Sequence, residues 1–574
     1  MSDPKYETRE AESLRKLAFF GIAISTVATL TAIVAVPMLY NYMQHVQSSL
    51  QAEVDFCQHR TDGLWDEYKR YESAHGAFGR IKREAHLAHR RSAATGKHRR
   101  ARQGYDAPST DRRVEYIHTA RSVTVSLPER RPLEQIHDPV KPFSFENLEI
   151  PPPEKLAIFC MTHVSGLQCD RLGMFDFDKD SPTYMQTLRS HIVVPCMNTS
   201  RIYIVSVDGT NLQVVKVIKG HDLLQKDISC PYSVRTLPIK GAPVHISTLG
   251  DRDGYAKGDF VLLDRHTFNL RNKSPRDTFS GFGGDFALQT RRNILITTEW
   301  SAPRIFRQGL SESDLENVSE NFGNCLHVFK ISPNELLQTI ELDGFDGCLT
   351  TTVRFVHNPE INHAFVCSAI GSSIFHLYMD SLSGKWMADK VAKVQPIQVK
   401  NFECGEIPAM LTDLVISFDD RSLFTCGYLH GAIWRFDITD PFRVSTLSVI
   451  SLGGLLTTES EILPATPFLG VNQFEFNDPN VIRDVNFRGG PALIQLSLDG
   501  KRLFVSNGIY KAWDAQFYPE LFTEGGQVVK IDVTDKGMVL DQDFLIDMKE
   551  IEDGPYLPRD IHFMEGDCTS DNFL

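Results

Sequence analysis

Two segments of this 574-residue chain are near copies of each other, and they restrict its fold more than any other feature. Ile416–Cys426 reads ISFDDRSLFTC, and Leu496–Ser506 reads LSLDGKRLFVS. Each segment predicts a strand, an acidic tight turn and a second strand. A hairpin that recurs in this form is typical of a β-propeller, because radial repetition of small sheets protects the edges of each sheet.

The residues around these copies also predict an all-β body, from 154 to 574. Short runs of β-branched and aromatic residues alternate with Gly, Asp and Asn turns, and few windows keep a helical period. The predicted strands include Arg201–Val207, Phe260–Leu263, Ile294–Thr298, His327–Ile331 and Ala432–Ile438. A body of this length suits a propeller of about six to eight blades. A pair of β-sandwiches is the alternative fold at this point.

The N-terminal region predicts a membrane anchor. Leu17–Tyr40 contains 24 residues and no charge, and about 20 apolar residues suffice to cross a bilayer as a helix. Arg15 and Lys16 precede this run directly, whereas the next Lys or Arg after it is Arg60. The positive-inside rule therefore predicts a single-pass type II protein with a lumenal or extracellular body. The alternative is a cleaved signal peptide.

A basic stretch and a linker (residues 105–153) separate this predicted helix from the body. Nine Lys or Arg and one acid lie between Arg80 and Arg102, and the stretch ends in the RxxR motif of Arg99 and Arg102. Subtilisin-like convertases cut such motifs. A solvated linker or a nucleic-acid-binding tail is the alternative.

Charge and cysteine usage narrow the function of the body. Residues 1–113 carry 18 Lys and Arg against 13 Asp and Glu, and the remaining residues carry 42 against 60. An acidic body argues against nucleic acid as a partner, since phosphate binding needs clustered cations. The eleven cysteines are scattered, without CxxC or zinc-ligand spacing, which indicates a body with free thiols.

The first hundred residues resemble a known module. From about Leu14 to Trp65, the short head, apolar span and polar helical segment, followed by the RxxR motif, are similar to the N-terminal domain of nematode cuticle collagens. We therefore assign residues 1–104 to a cuticle-collagen-like region. No Gly-X-Y tract follows, and Gly accounts for only 38 residues, so a triple helix is excluded. A role in the cuticle or the extracellular matrix stays an alternative, and it rests only on residues 1–104.

Residues 154–574 resemble the selenium-binding protein family, which includes the methanethiol oxidases. The matching segments are Ser247–Asp264 (STLGDRDGYAKGDFVLLD), Ile296–Leu310 (ITTEWSAPRIFRQGL), Val353–Pro359 (VRFVHNP), Leu429–Pro441 (LHGAIWRFDITDP), Ile494–Glu520 and Gly566–Asp571 (GDCTSD). The resemblance implies a seven-bladed propeller. In active members it also implies copper-dependent oxidation of methanethiol to formaldehyde, sulfide and peroxide.

The imidazoles that the resemblance implies as copper ligands are replaced in this chain. They fall on Val234, Leu237 and Arg559, and none of these side chains binds copper. Candidate ligands elsewhere are His191, His245 and His562. Candidates for the lining of the central channel are Asp285, Glu299, His357, Asp413 and His430.

Selenium binding is implied by the family but lacks its residues here. The early cysteines that the family associates with selenium have no counterpart, and Cys160 and Cys169 are the nearest thiols. A buried structural role is expected for both.

The sequence therefore predicts a divergent family member that acts as a membrane-anchored binding propeller for a small thiol or selenium ligand. Its copper-dependent oxidation is expected to be impaired or lost. An active methanethiol oxidase with a rearranged site is the alternative. The sequons at Asn198, Asn272 and Asn317 predict glycosylation if the body is lumenal. If the leader results from a mistaken gene join, the body is cytosolic.

Overall fold

The structure, a computed structural model, describes only part of the chain. The described residues are 156–164, 171–176, 190–208, 211–237, 241–271, 281–332, 335–402, 405–458, 460, 462–464, 478–551, 553–563 and 566–569. All of them belong to the second of the two units into which the chain divides, Leu127–Leu574.

Six antiparallel meanders of consecutive strands form most of this body. The two three-stranded meanders are β3–β5 (Ser190–Cys196, Arg201–Asp208, Asn211–Ile218) and β6–β8 (Ser229–Thr236, Val244–Gly250, Ala256–Leu263). The four-stranded ones begin with β9–β12 (Phe286–Gln289, Ile294–Thr297, Cys325–Lys330, Glu335–Glu341) and β13–β16 (Thr350–Phe355, His363–Ser368, Ser373–Met379, Trp386–Lys393). They end with β19–β22 (Leu411–Ile416, Ser422–Gly427, Ala432–Asp437, Ser445–Ser451) and β26–β29 (Leu493–Leu496, Arg502–Ser506, Gln527–Thr534, Gly537–Asp547).

A further sheet joins the two ends of the described chain. Its central strand, β1 (Leu156–His163), pairs with β2 (Arg171–Asp176) on one side and with the last strand, β30 (Tyr556–Phe563), on the other. Two small pairings complete the sheet structure. The first links β17 (Ile397–Lys400) to β18 (Glu406–Ile407) and β23 (Leu463–Pro464), and the second links β24 (Val481–Ile482) to β25 (Val485–Asn486).

The sheets follow one another around a central axis. Contacts run from β6 to β9, then to β13, β19, β26 and finally β30, so these strands form the inner wall of a ring. Apolar side chains fill the space between successive sheets. Ile296 and Val328 of one meander, for example, pack with Val353, Val366 and Phe375 of the next. The predicted β-propeller is therefore confirmed, and the first and last described strands lie in one sheet.

The two copied hairpins fold as the sequence predicts. In one, β19 ends at Ile416 and β20 begins at Ser422, and in the other, β26 ends at Leu496 and β27 begins at Arg502. The hydroxyl of Ser417 donates to Asp419 at 2.5 Å, and that of Ser497 donates to Asp499 at 2.7 Å. The same side-chain bond therefore closes both turns.

The helices are short and occupy loops between strands. They are α1 (Gly220–Leu224), α2 (Pro303–Phe306), α3 (Glu312–Glu316), α4 (Val318–Asn321), α5 (Lys511–Phe517) and α6 (Leu521–Glu524), with a 3₁₀ turn at Gly344–Gly347. Helices α2 and α5 bring aromatic side chains together, because Trp300 stacks on Trp513 and contacts Phe306. The indole of Trp513 also donates to the Phe306 carbonyl at 3.1 Å.

The predicted anchor, Leu17–Tyr40, and the RxxR motif at Arg99 and Arg102 lie outside the described residues. Among the helices that the structure does describe, none has the length and apolarity needed to span a membrane. Both features of the leader therefore stay predictions.

Candidate functional site

The inner strands bring charged side chains from distant parts of the chain to the centre of the ring. Asp285 directly precedes β9, and its carboxylate is held by two guanidinium groups. Arg354 on β13 donates to it at 2.7 Å, and Arg235 on β6 donates at 3.3 Å. The hydroxyl of Ser233 adds a third bond at 2.6 Å. Three inner elements therefore meet at one buried carboxylate.

The network extends to a second carboxylate, Asp413 on β19. The Thr352 hydroxyl donates to Asp413 Oδ1 at 3.1 Å, and the backbone amides of Leu414 and Ile494 donate at 2.8 and 3.0 Å. Arg354 Nη2 lies 4.0 Å from the same oxygen. Arg354 thus links the two acids, Asp285 and Asp413, that the sequence predicts as channel residues.

The two carboxyl groups differ in acidity because their surroundings differ. Burial alone would raise the pKa of Asp285, but the guanidinium groups of Arg235 and Arg354 outweigh it and hold the pKa below its usual value. Burial raises the pKa of Asp413 to about 6, despite Arg354 and the two backbone amides. Asp285 is therefore a fixed anion, whereas Asp413 exchanges a proton near pH 6.

Two more groups share this electrostatic environment. Burial, followed by Asp285, Asp560 and Asp413, raises the pKa of Tyr232 on β6, so the phenol stays protonated. Asp560 on β30 also contributes to the raised pKa of Asp413.

Three residues of this network were not predicted from the sequence: Arg235, Arg354 and Tyr232. A signal for the two arginines was available, because each is a charged residue within a strand that is otherwise mostly uncharged.

The positions at which the family resemblance implies imidazoles serve other purposes. Val234 lies on β6 opposite Ile246 and packs against an apolar cluster. Leu237 is buried with Phe260 and Phe286. Arg559 donates to the fully buried carboxylate of Asp514 at 2.9 Å, and Asp514 also accepts a bond from the Tyr428 hydroxyl. Val234 and Leu237 therefore contribute to apolar packing, and Arg559 forms an ion pair.

The other channel candidates are engaged in bonds that hold the blades. Glu299 accepts from the imidazole of His327 at 3.0 Å and from the amide of Cys325 at 3.0 Å. His430 bonds the Ile407 carbonyl at 2.9 Å, and burial lowers its pKa to about 4, which keeps the ring neutral. These contacts indicate structural roles for Glu299 and His430.

His357 ties the C-terminal tail to the body. Its imidazole lies 2.9 Å from the Asp420 carboxylate and 2.9 Å from the Cys568 carbonyl. Burial would lower the pKa of His357, but Asp420 and the tail carbonyl outweigh it and raise the pKa. This imidazole is therefore more basic than usual and connects the C-terminal tail to Asp420 of the body.

The three candidate metal ligands lie on separate strands. His191 on β3 is exposed beside the Phe268 ring, and His245 on β7 pairs in register with Arg235. The third, His562, lies 3.4 Å from Asp567. Its deep position would lower the pKa of His562, but Asp567 outweighs this and raises it. Because 62% of the side chain is exposed, solvent screens this shift.

Copper held by imidazoles would need several of them to converge on one point. Across the described ranges, no group of three or more His, Cys, Asp or Glu side chains is arranged to hold a metal ion. The side chains present in this part of the chain therefore do not fit the copper site that the family resemblance implies.

The cysteine and sequon predictions are placed only in part. Cys160 on β1 is half-buried, less than the buried position that the sequence predicts, and Cys169 lies outside the described residues. Asn317 is exposed, whereas Asn198 accepts a bond from the Tyr510 hydroxyl at 2.7 Å. Asn272 is outside the described residues. Asn198 and Asn317 are both exposed, and the Asn317 side-chain amide donates to the Ser313 carbonyl at 3.3 Å.

Comparison with known sequences agrees with both predicted resemblances. Residues 181–574 match the family model of the 56kDa selenium binding protein (SBP56). Residues 19–67 match the nematode cuticle collagen N-terminal domain. The chain thus combines segments of two families that differ in architecture.

Individual relatives match about three quarters of this chain. A Caenorhabditis briggsae protein whose name proposes selenium binding is 48% identical over 462 residues, which cover 73% of this chain and 90% of the relative. Methanethiol oxidase of Homo sapiens is 33% identical over 475 residues, covering 75% of this chain and 97% of the enzyme.

A solved structure supports the fold. The crystal structure of a hypothetical selenium-binding protein from Sulfolobus tokodaii superposes with a TM-score of 0.63 at 22% identity, covering 74% of this chain and 96% of that one. Because the family model matches well over half of the sequence, this chain belongs to the 56 kDa selenium-binding protein family.

Proposed function

We propose that this protein is a membrane-anchored binding propeller of the selenium-binding family in which copper-dependent thiol oxidation is impaired or lost. The observation that carries the proposal is the identity of the side chains at the implied ligand positions. Val234 and Leu237 pack in apolar clusters, and Arg559 pairs with Asp514. None of the three offers the nitrogen lone pair that copper needs.

The central network suits binding better than redox chemistry. Arg354 and Arg235 are committed to Asp285, and the bonds to Asp413 come from groups fixed by the inner strands. Such a network is preorganised, so the charges around Asp285 and Asp413 keep fixed positions. By family resemblance the ligand class is a small thiol or a selenium compound.

Metal content and peroxide release test the loss of oxidation. The purified full chain would be assayed for bound copper and for peroxide production on methanethiol, with human methanethiol oxidase as the positive control. We expect copper well below one equivalent and no peroxide above background. Stoichiometric copper together with turnover would overturn the proposal and favour the second candidate, an active oxidase with a rearranged site. Relatives named methanethiol oxidase are the observation that favours this candidate.

We also propose that the ring has seven blades, counting the closing sheet of β1, β2 and β30. Support comes from the contacts of β26 with β30, which match the contacts between the inner strands of neighbouring meanders. Determination of the blade number by electron microscopy of the full chain would test this count.

The lumenal location of the body is a separate proposal that rests on Leu17–Tyr40 and its flanking charges. Expression in cells that glycosylate, followed by enzymatic deglycosylation, tests it. We expect a mobility shift that the Asn317→Gln variant removes or reduces. An unchanged mobility of the wild type would favour a cytosolic body, and with it a mistaken gene join.

Sequencing transcripts across the codons for Gly104–Pro153 shows directly whether leader and propeller are expressed as one chain. A matrix role, which the collagen-like segment at residues 19–67 suggests, would require the intact fusion. Transcripts that never join the two parts would exclude both the anchor and the matrix role.

A further inference from the structure

A hydroxyl, an imidazole and a carboxylate form a chain of hydrogen bonds across the sheet of β9–β12. Thr339 on the outer strand β12 lies directly opposite His327 on β11, and its Oγ1 is 3.0 Å from His327 Nδ1. The other ring nitrogen, Nε2, is 3.0 Å from Oε1 of Glu299, which follows β10. These three side chains, Thr339, His327 and Glu299, are called the relay below.

The carboxylate sets the direction of the hydrogen bonds in the relay. Glu299 also accepts from the backbone amides of Phe282 at 3.2 Å and Cys325 at 3.0 Å, which fix its position. Because a carboxylate only accepts, Nε2 of His327 carries the ring proton and Nδ1 presents its lone pair to Thr339. The Thr339 hydroxyl therefore donates to an imidazole that is oriented as a general base.

Burial differs between the two ends of the relay. The side chains of His327 and Glu299 are only 6% and 7% exposed, whereas Thr339 is exposed. The base and the carboxylate are thus shielded from water, and the hydroxyl is the group that meets a reagent from solution. This combination of nucleophile, base and orienting group is the one that activates a hydroxyl in covalent catalysis.

A thiol beside the relay does not compete with the hydroxyl. Cys325 lies two residues before His327 on β11, so the two side chains point to the same face of the sheet. Burial, followed by the charges of Glu299 and Glu341, raises the pKa of Cys325 to about 12. The thiol therefore stays protonated at neutral pH, and a protonated thiol is a poor nucleophile.

The side chains around the relay define the kind of reagent. Leu336 pairs in register with Phe329, whose ring contacts His327, so Leu336 lies on the same face as the relay. Leu336 is 44% exposed and offers an apolar contact. Glu341, which pairs with Cys325 on this face, is exposed as well and repels anionic phosphoryl donors. An uncharged donor with a short apolar acyl group therefore fits best.

We propose that Thr339 is an acyl-acceptor site, at which the hydroxyl takes the acyl group of an uncharged ester. Thr339 Oγ1 forms a bond to the ester carbonyl carbon, and His327 Nδ1 takes the hydroxyl proton. The bond between the carbonyl carbon and the ester oxygen then breaks, and the alcohol oxygen leaves with its electron pair and receives the proton. Glu299 orients the imidazole and is a positioning residue. This acylation goes beyond the binding role proposed for the central network.

Reaction of the full chain with p-nitrophenyl butyrate tests this site. Absorbance follows the release of p-nitrophenolate, and peptide mass spectrometry locates the butyryl group. We expect the group on Thr339. The His327→Gln variant should acquire it about 100-fold more slowly, because the general base is lost. The Thr339→Ser variant should retain the reaction, since it keeps a hydroxyl at the same place.

Two valine variants provide the matched comparison. Thr339→Val removes only the hydroxyl at an exposed position and should abolish the butyryl group there together with the matching release of p-nitrophenolate. Thr534 is also exposed, but its hydroxyl donates to the Gly537 carbonyl at 3.0 Å instead of to an imidazole. Thr534→Val should therefore react like the wild type. A wild type without a butyryl group on Thr339 overturns the proposal, and so does an equal rate in His327→Gln.

Discussion

Arg354 and Asp285 form a buried ion pair at the centre of the propeller, with Arg354 Nη1 2.7 Å from Asp285 Oδ2. The two residues are 69 positions apart in the chain and belong to successive sheets. Arg235 approaches the same carboxylate from the preceding sheet. One acid therefore fastens three neighbouring sheets to each other.

Loss of this acid should destabilise the body strongly. In Asp285→Ala, two guanidinium groups would stay buried without their partner, and we expect a loss of about 3–5 kcal/mol in the free energy of unfolding. Urea denaturation followed by tryptophan fluorescence measures it. The control, Arg291→Ala, removes an exposed pair with Glu360 and should cost less than about 1 kcal/mol. Equal losses in the two variants would contradict the central role of Asp285.

Asp413 should make stability depend on pH between about 4 and 6. Its pKa is about 6 in the folded state against 3.8 for the ordinary side chain, so the folded state binds the proton more tightly. Stability from this group is therefore present at the acidic end and is lost as the pH rises through about 6. The effect is on the order of 3 kcal/mol.

The Asp413→Asn variant isolates this contribution, because an amide does not titrate in this range. Melting temperatures of wild type and variant would be compared from pH 4.5 to 8. We expect the difference between them to shift in favour of the variant as the pH rises. A difference that stays constant across the range would show that Asp413 does not titrate as described.

His357 should stabilise the attachment of the C-terminal tail in a pH-dependent way. Its folded-state pKa is raised by Asp420 and the Cys568 carbonyl, although burial opposes the shift. The resulting stability is fully present below the ordinary pKa of 6.5 and is lost as the pH rises through the folded value.

Replacement of His357 with Gln should therefore cost about 1–3 kcal/mol at pH 6 and less at pH 9. Limited proteolysis of the C-terminus and urea denaturation both report on it. The exposed residue His266 offers the control variant His266→Gln, which should behave like the wild type. An equal loss of unfolding free energy at both pH values would show that the charge on His357 does not stabilise the tail.

A comparison of Gly431 with Gly384 separates the cost of a left-handed backbone conformation from the cost of a steric clash. Both have positive φ, +71° and +65°. A Cβ on Gly431 would lie 1.8 Å from the Gly453 carbonyl oxygen, whereas a Cβ on Gly384 meets nothing within 4 Å.

We expect Gly384→Ala to cost about 1–2 kcal/mol, the strain of the left-handed conformation alone. Gly431→Ala should cost about 1–3 kcal/mol more, because the turn against Gly453 must move. Thermal unfolding monitored by circular dichroism compares them. Similar melting temperatures for the two variants would show that this turn accommodates a side chain freely.

Strand periodicity and turn chemistry made much of the architecture predictable. The hairpins at Ile416–Cys426 and Leu496–Ser506 each form the predicted strand, turn and strand, since local alternation and acidic turns suffice to specify them. The ordered family motifs likewise predicted the propeller. The anchor at Leu17–Tyr40 was predicted from the sequence, and it lies outside the described residues.

The candidate site was predicted less completely. Asp285 and Asp413 were recognised by resemblance, but Arg235, Arg354 and Tyr232 were not. Nothing in a local pattern indicates that residues 50 to 69 positions apart will share one buried carboxylate. Glu299 and His430 match family motifs equally well, yet Glu299 bonds His327 and Cys325, and His430 bonds the Ile407 carbonyl.

By itself, the sequence determined the family, the β-propeller and the absence of imidazoles at Val234, Leu237 and Arg559. Only the tertiary structure decided which charges meet, because that depends on how the inner strands converge from separate blades. Periodicity identifies a strand, but the partner of its second edge is set by long-range pairing.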